Sequence, residues 1–456
     1  MAEDSSGGGY QRGAAILSAG IGATGLVTYG YFSLASHSLS ESDYGGITLL
    51  WSAVFITVSV LYRPVEQLLS RTIAEREARG REGREHLRVA ATIQLSLGVA
   101  FVIAALALRG PLRDDLFEGS STLYTVLIVA VLAYAVSYFA RGFLAGQRRF
   151  GLYGGLVLME ALSRVMFALA VAVGIAEGQS VVALGMAAAP IVSLAVVPLA
   201  LTRERPDGAP ATSSEDASAK ARTLDEASGG EPGAEPEFTL SHGTGFAVAV
   251  LLIMLSEQTF LNAGPLLVKI TEGDGGAALA GFTFNVLLIA RAPLQLFQAV
   301  QTSILPHLTR LGARGETDPF RRSVNVTLTA IAGFAVVVAV GMAIAGPFLM
   351  DLVFGGDSAY DRLGLVLISV GMGLYLAAAT LNQALLARDR ARQACACWLS
   401  SALAFVAFLL VPGFDDRVLQ VEAGYVGGAL LLCGLLYALY RDREDLSAAV
   451  APRPPG

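Results

Sequence analysis

Runs of roughly 20 mostly apolar residues, each long enough to cross a bilayer as a helix, recur along the whole chain. They fall at about 14–36, 46–70, 87–108, 122–144, 152–174, 180–201, 243–268, 277–305, 323–350, 361–387, 394–412 and 423–440. In hydrocarbon every backbone N–H and C=O must find its partner inside the protein, so a run of this length folds as a helix. Composition agrees: 54% of the residues are hydrophobic and only 15% are charged, against about 25% in soluble domains. The expected fold is an all-α polytopic membrane protein with about 12 transmembrane helices.

The few charges are distributed unevenly. One alternate set of connections carries Arg12; Arg71, Arg76, Arg79, Arg81, Arg84 and Arg88; Arg141, Arg148 and Arg149. It continues through Arg203, Arg205, Lys220 and Arg222 to Arg310, Arg314, Arg321, Arg322, Arg388, Arg390, Arg392, Arg441, Arg443 and Arg453. The other set holds only Arg109, Arg113, Lys269, Arg362 and Arg417, together with acids such as Asp114, Asp115, Asp274, Asp357 and Asp415. Positive loops stay in the cytoplasm. The expectation is therefore a protein of the inner, cytoplasmic membrane with both termini inside. A missed or extra run would reverse the alternation downstream of it.

Residues 1–13 are polar and Gly-rich and read as a disordered tail. Residues 202–242, "…RERPDGAPATSSEDASAKARTLDEASGGEPGAEPE…", have almost no large apolar side chains and read as a disordered cytoplasmic linker. The linker divides the runs six and six. This leaves an N-terminal lobe at 14–201, a C-terminal lobe at 243–440 and a cytoplasmic tail at 441–456. Such halves have the same topology and suit a parallel pseudo-repeat around a central cavity. Local matches support it: aligning Gln67 with Gln298 sets Ile73 on Ile304, and aligning Leu144 with Leu385 sets Arg149 on Arg390.

Ionisable groups inside the membrane are costly and mark functional sites. In "LYRPVEQLLSRTIA" (61–74), Arg63, Glu66, Gln67, Ser70 and Arg71 share one helical face. Arg71 suits an interfacial anchor, while Arg63, Glu66 and Gln67 lie deeper, beside Pro64. Arg164 lies about 12 residues, or roughly 18 Å, into its run, with Glu160 one turn away as a partner. Arg291 is equally deep and has no acid three or four positions away; Glu257 on the preceding run is a candidate partner. Pro293 follows Arg291. Glu257, Glu66 and Glu160 are candidates to carry a coupling proton or Na⁺, and Glu257 stands out because Ser256, Gln258, Thr259 and Asn262 surround it.

Other patterns carry no chemistry. "GIGATG" (20–25) matches a dinucleotide fingerprint in letters only: it sits inside a membrane run with no strand before it, and small residues there serve close helix packing. Cys395, Cys397 and Cys433 form neither a disulfide framework nor a zinc pattern, and His37, His86, His242 and His307 are scattered. No catalytic triad, nucleotide-binding loop or metal centre is visible, and nothing points to nucleic acid. A cofactor-free transporter is expected, not an enzyme.

Two stretches resemble a known family. "RGFLAGQRRFGLY" (141–153) is similar to the basic, Gly-containing segment after the fourth span of bacterial polysaccharide flippases. "RAPLQLFQAVQTSILPHLTRL" (291–311) is similar to their eighth span. These flippases belong to the multidrug/oligosaccharidyl-lipid/polysaccharide exporter (MOP) superfamily. Many sugar flippases there have fourteen spans; twelve is shared with the multidrug branch.

The resemblance implies two six-helix lobes around a central cavity, working by alternating access. The cargo would be a polyprenyl-pyrophosphate-linked oligosaccharide turned from the inner to the outer leaflet for surface polysaccharide synthesis. Arg63, Arg164 and Arg291 would hold the pyrophosphate, and Gln67, Asn262, Asn285, Gln295 and Gln298 the sugar hydroxyls. Membrane lipids, a polysaccharide polymerase and glycosyltransferases are the partners such a role implies. The main rival is an ion-coupled multidrug exporter of the same fold. A membrane polymerase or ligase is disfavoured by the short outer connections, and a non-transporting envelope scaffold is the remaining alternative.

Overall fold

A computed structural model describes residues 3–78, 85–195, 240–291, 317–355, 360–388 and 390–450. Pro293, Gln295, Gln298 and nearly all of the 202–242 linker lie outside the described residues.

Every regular element described is helical. The first half contains α1 (Glu3–Ser38), α2 (Glu41–Leu61), α3 (Arg63–Ala78), α4 (Glu85–Ala107), α5 (Ser121–Gly146), α6 (Phe150–Ala172) and α7 (Gln179–Ser193), with a π-helical turn at Pro111–Leu116. The second contains α8 (Leu240–Glu272), α9 (Gly276–Arg291), α10 (Thr317–Phe354), α11 (Arg362–Leu386), α12 (Ala391–Leu409) and α13 (Arg417–Val450). Among the described residues nine helices are long and apolar enough to cross a membrane, α2 and α3 together forming one of them; α7 and α9 are shorter apolar helices. The chain is an integral, multi-pass helical membrane protein.

Two helices exceed their expected lengths. α1 starts at Glu3, within the segment read as a disordered tail, and α13 continues to Val450, within the segment read as a C-terminal tail. Once a helix is nucleated, each further residue costs little and adds a hydrogen bond. Polar flanks are thus carried along by an apolar helix.

The two halves pack by one plan. In the first, α1 lies along α6, α5 on α7, α4 on α5 and α6 on α7; in the second, α8 lies along α12, α11 on α13, α10 on α11 and α12 on α13. Each pair joins helices of matching order. The Gly-rich stretch of α1 serves close packing: a Cβ at Gly20 would stand 3.3 Å from the Gly154 Cα of α6. The contact across the halves runs chiefly between α2 and α8. Phe32 of α1 and Phe284 of α9 also meet across the halves at 4.7 Å, and Trp51 of α2 lies 4.8 Å from Phe32. On the periphery, α10 leaves Val336, Val337, Ile344 and Phe348 exposed, a belt suited to acyl chains.

The break between α2 and α3 positions the polar stripe. Tyr62 caps α2, donating its N–H to the Val58 carbonyl, and Pro64, the second residue of α3, has no N–H to continue the ladder. The helix axis restarts here, and Glu66 takes up the Tyr62 carbonyl at 2.9 Å. α3 then presses on α5 at Gly142, where a Cβ would stand 2.8 Å from the Glu66 carbonyl.

Gly142→Val should therefore force α3 off α5 and destabilise the purified protein by ~1–3 kcal/mol, read as a lowered thermal midpoint in detergent. Gly151→Ala, at a glycine that faces open space, should leave the midpoint unchanged.

Candidate functional site

The buried charges of the first half form one connected cluster. Glu160, 2% exposed, accepts hydrogen bonds from Arg141 and Ser137, with the Ser193 hydroxyl 3.4 Å away. This corrects the expected Glu160–Arg164 pair. α5 brings Arg141 to Glu160 from the neighbouring helix, because α5 runs on to Gly146 and keeps Arg141 within the bundle. Arg141, assigned by sequence to the basic loops, also lies over the Tyr138 ring at 4.6 Å.

Arg164 is freed from Glu160 and held by aromatic groups. It donates to the Tyr134 hydroxyl at 2.6 Å and stands 5.0 Å from the Trp51 ring and 5.7 Å from the Phe55 ring. Cation–π attraction of this kind strengthens when desolvated. Its Nε has no hydrogen-bond partner. Glu66 is buried and accepts from the Tyr153 hydroxyl at 2.8 Å. The stripe on α3 is thus split: Glu66 turns to the first half's interior, while Arg63 and Gln67 stay exposed. Arg63 is nevertheless ringed by charged and phenolic groups, Glu257, Tyr138, Glu66 and Tyr153. A side chain both accessible and surrounded lines a cleft.

Glu257 answers Arg63 from the second half. It lies on α8, half-buried, accepts a hydrogen bond from Tyr375 of α11, and reaches Arg63 electrostatically. The expected Arg291–Glu257 pair is not formed. The polar groups whose charges reach Arg291 are the phenols Tyr425, Tyr29 and Tyr375. Its guanidinium stands 5.9 Å from the Phe284 ring, and its buried Nη2 has no hydrogen-bond partner among the described residues. Asn262 is committed within its own helix, donating to Gln258 at 3.0 Å, though its Oδ1 has no partner.

The end of the bundle that carries few arginines is closed. Asn285 is part of that closure, not of an open sugar surface: it accepts from Tyr44 of α2 and donates to Tyr360 at 3.3 Å. Gly45 meets Ala277 so closely that no Cβ would fit. Lys269, 1% exposed, donates to Glu118 across the halves at 2.6 Å and to the Gly273 carbonyl at 2.6 Å. The Lys269 ammonium beside Glu118 holds that carboxyl below its ordinary range. At the arginine-rich end, a separate hollow of about 690 Å³ lies along α10, lined by Arg321, Arg322, Asn325 and Thr329; none of the expected site residues touches it.

Comparison with known proteins bears on the fold. No family model matches the chain, and no curated protein matches it. Solved structures do. An inward-facing multidrug resistance MATE family transporter of the MOP superfamily superposes with TM-score 0.65 at 14% identity, over 96% of this chain and 100% of that one. The eukaryotic MATE transporter AtDTX14 gives 0.60 at 14% identity, over 94% and 95%. A MOP superfamily transporter from Pyrococcus furiosus, described as having a binding pocket of reverse polarity that suggests a different function, gives 0.62 at 12%, over 96% of each chain. The chain shares the fold of these transporters.

Sequence reasoning missed Arg141, the tyrosines and Lys269. Arg141 had a signal: Glu160 needed a cation, and the basic segment begins within reach of an apolar run. Lys269 had one too, as one of only two lysines in the chain, the other, Lys220, lying in the linker. The phenols Tyr134, Tyr153 and Tyr375 had none, since tyrosine in an apolar helix reads as bulk.

The Glu118–Lys269 pair gives a pH signature. Because the folded Glu118 value is depressed, its contribution is present above the ordinary glutamate value of about 4.3 and is lost as pH falls through the folded value. The thermal midpoint of the purified protein should be level above that range and fall below it, and at neutral pH a maleimide reporter at Ala278→Cys, in a background without the native cysteines, reads the closure. Glu118→Gln should give fast labelling at neutral pH, costing the closure ~2 kcal/mol for a buried ammonium left short of its partner.

Proposed function

We propose that this protein is a membrane transporter for a lipid-linked anionic glycan, a flippase that turns a polyprenyl-pyrophosphate-linked oligosaccharide from the inner to the outer leaflet. The observation that carries this reading is Arg291: a cation at mid-depth in the second half, surrounded by phenols, with an unpartnered buried nitrogen. Leaving a guanidinium so in a low-dielectric site is costly, and an incoming phosphate oxygen relieves that cost. Arg offers phosphate two parallel charge-assisted bonds.

Arg164 supports the same reading from the first half, since among the described residues it donates to a neutral hydroxyl and its Nε is unpartnered. Arg63 and Gln67 line the cleft below. Across this central region four arginines (63, 141, 164, 291) face three glutamates (66, 160, 257), a balance that favours an anion over a cation. Glu160 is neutralised by Arg141 and Glu66 is bound by Tyr153. Glu257, bound by Tyr375 and facing Arg63 from the other half, is the candidate coupling group. The membrane potential is a second source of drive, acting on a charged cargo with about 2.3 kcal/mol per charge per 100 mV.

The resemblance to polysaccharide flippases at 141–153 and 291–311 names the cargo class. The closed, arginine-poor end and the accessible Arg63 correspond to an inward-facing state with both termini in the cytoplasm. Polymerases and glycosyltransferases would then act before and after it. The alternative, an ion-coupled multidrug exporter, is favoured by the names of the MATE transporters that share the fold. It needs an acid-dominated cavity.

Arg164→Ala and Arg291→Ala should each cut glycan export ~10–100-fold, the loss expected for one charge-assisted hydrogen bond of about 1.5–3 kcal/mol. Lipid-linked sugar should accumulate at normal protein level, as read by mass spectrometry of extracted lipids. Normal surface glycan in both variants, with broad drug sensitisation of a deletion strain, would reject the flippase in favour of the drug exporter.

A further inference from the structure

One carboxylate plays no part in the central cluster. Glu422 lies on α13, 5% exposed, about one and a half turns after Arg417. Among the described residues it has no ion pair and no hydrogen bond. Its carboxylate presses against Gly364, near the start of α11, so closely that a Cβ there would run into Oε2 and the acid would have to shift. Glycine at this position is what makes room for the acid.

The surroundings do not neutralise it. The charges that reach Glu422 are those of Asp416, at the head of α13, and Asp361, at the head of α11. Both are committed as helix caps: Asp361 accepts from the Gly364 N–H at 3.2 Å, and Asp416 from the Val418 and Leu419 N–H groups at 2.9 and 3.0 Å. α8 brings Lys269 and Glu272 to this end, but Lys269 is bound to Glu118 and Glu272 is paired with Arg417 at 2.9 Å. Arg417 also donates to Gln420 at 2.9 Å. Arg362 points to the exterior. The facing stretch of α12, around Phe408 and Leu409, offers no titratable side chain, only carbonyls already taken by Gln420.

Three carboxylates thus converge where α11 and α13 begin, and the deepest of them has no partner. A buried lone charge beside two like charges is unfavourable twice over, through desolvation and through repulsion. Asp361 and Asp416 already accept from backbone N–H groups, so the carboxylate left to take up a proton is Glu422. From this geometry we propose that Glu422 is an exchangeable proton site of the second half, separate from Arg63, Arg164, Arg291 and Glu257. Its loading sets how tightly α11 and α13 meet at the arginine-poor end. Deprotonation would set a third negative charge against the Gly364 backbone and spread the two helices, and protonation would let them close.

The test is infrared difference spectroscopy on the full-length protein in lipid nanodiscs, stepped between acid and alkaline sodium-free buffers. A carbonyl-stretch band of a protonated carboxylic acid should appear and disappear reversibly. Glu422→Gln should abolish that band, while Glu257→Gln should retain it. Should Glu422→Gln fail to fold, Glu422→Asp keeps the acid with a shorter reach and should shift the band. Gly364→Ala, which crowds the carboxylate, should move its midpoint. A band unchanged in folded Glu422→Gln, no titrating band in the native protein, or a band abolished by Na⁺ at acid pH would overturn the proton assignment. None of these readouts depends on the cargo.

Discussion

The structure turns on the cost of placing charge where water is scarce. Each ionised side chain taken into the bundle demands a counter-charge, a set of donors or an aromatic face. The first half meets that demand internally: Arg141 and two serines serve Glu160, Tyr153 serves Glu66, and Tyr134, Trp51 and Phe55 surround Arg164. The demand stays partly unmet at Arg164 Nε and at Arg291 Nη2. These two positions separate the groups free to take a ligand from those that hold the fold.

Much of the fold was legible because membrane physics writes it in coarse letters. Length and hydrophobicity define spans, and the runs at 122–144, 152–174 and 361–387 match α5, α6 and α11 to within a few residues. The site was legible only in part. Sequence shows which charges are deep, but partners on different helices depend on rotation and crossing. Glu160 and Arg164 look like a pair at one-turn spacing, yet α5 delivers Arg141 to Glu160 first. Arg291 and Glu257 look complementary on adjacent runs, yet Tyr375 and Arg63 take Glu257. Phenolic hydroxyls left no trace in the pattern at all.

Helix ends and glycines do as much positioning as the charges. The break at Tyr62 and Pro64 separates α3 from α2 at the level where the stripe divides, Glu66 buried and Arg63 exposed. Gly142 lets α3 reach α5, and Gly45 lets the halves touch at Ala277. A close backbone approach has two consequences at once: it brings polar side chains within reach, and it leaves no slack. Such a contact is either made or absent, which is the property an alternating structure needs from the surfaces that open and close.

The self-sufficiency of the first half also bears on how the protein is made. The partners of Glu160 all come from α5 and α7, and those of Arg164 from α2 and α5, so they are present before α8 is synthesised. A nascent first half can enter the bilayer with these charges already quenched and needs no chaperone to shield them. Lys269 emerges later, and Glu118 is already waiting at the surface. Order of synthesis thus matches order of neutralisation, and a circular permutation that puts the second half first would expose Lys269 with nothing to receive it.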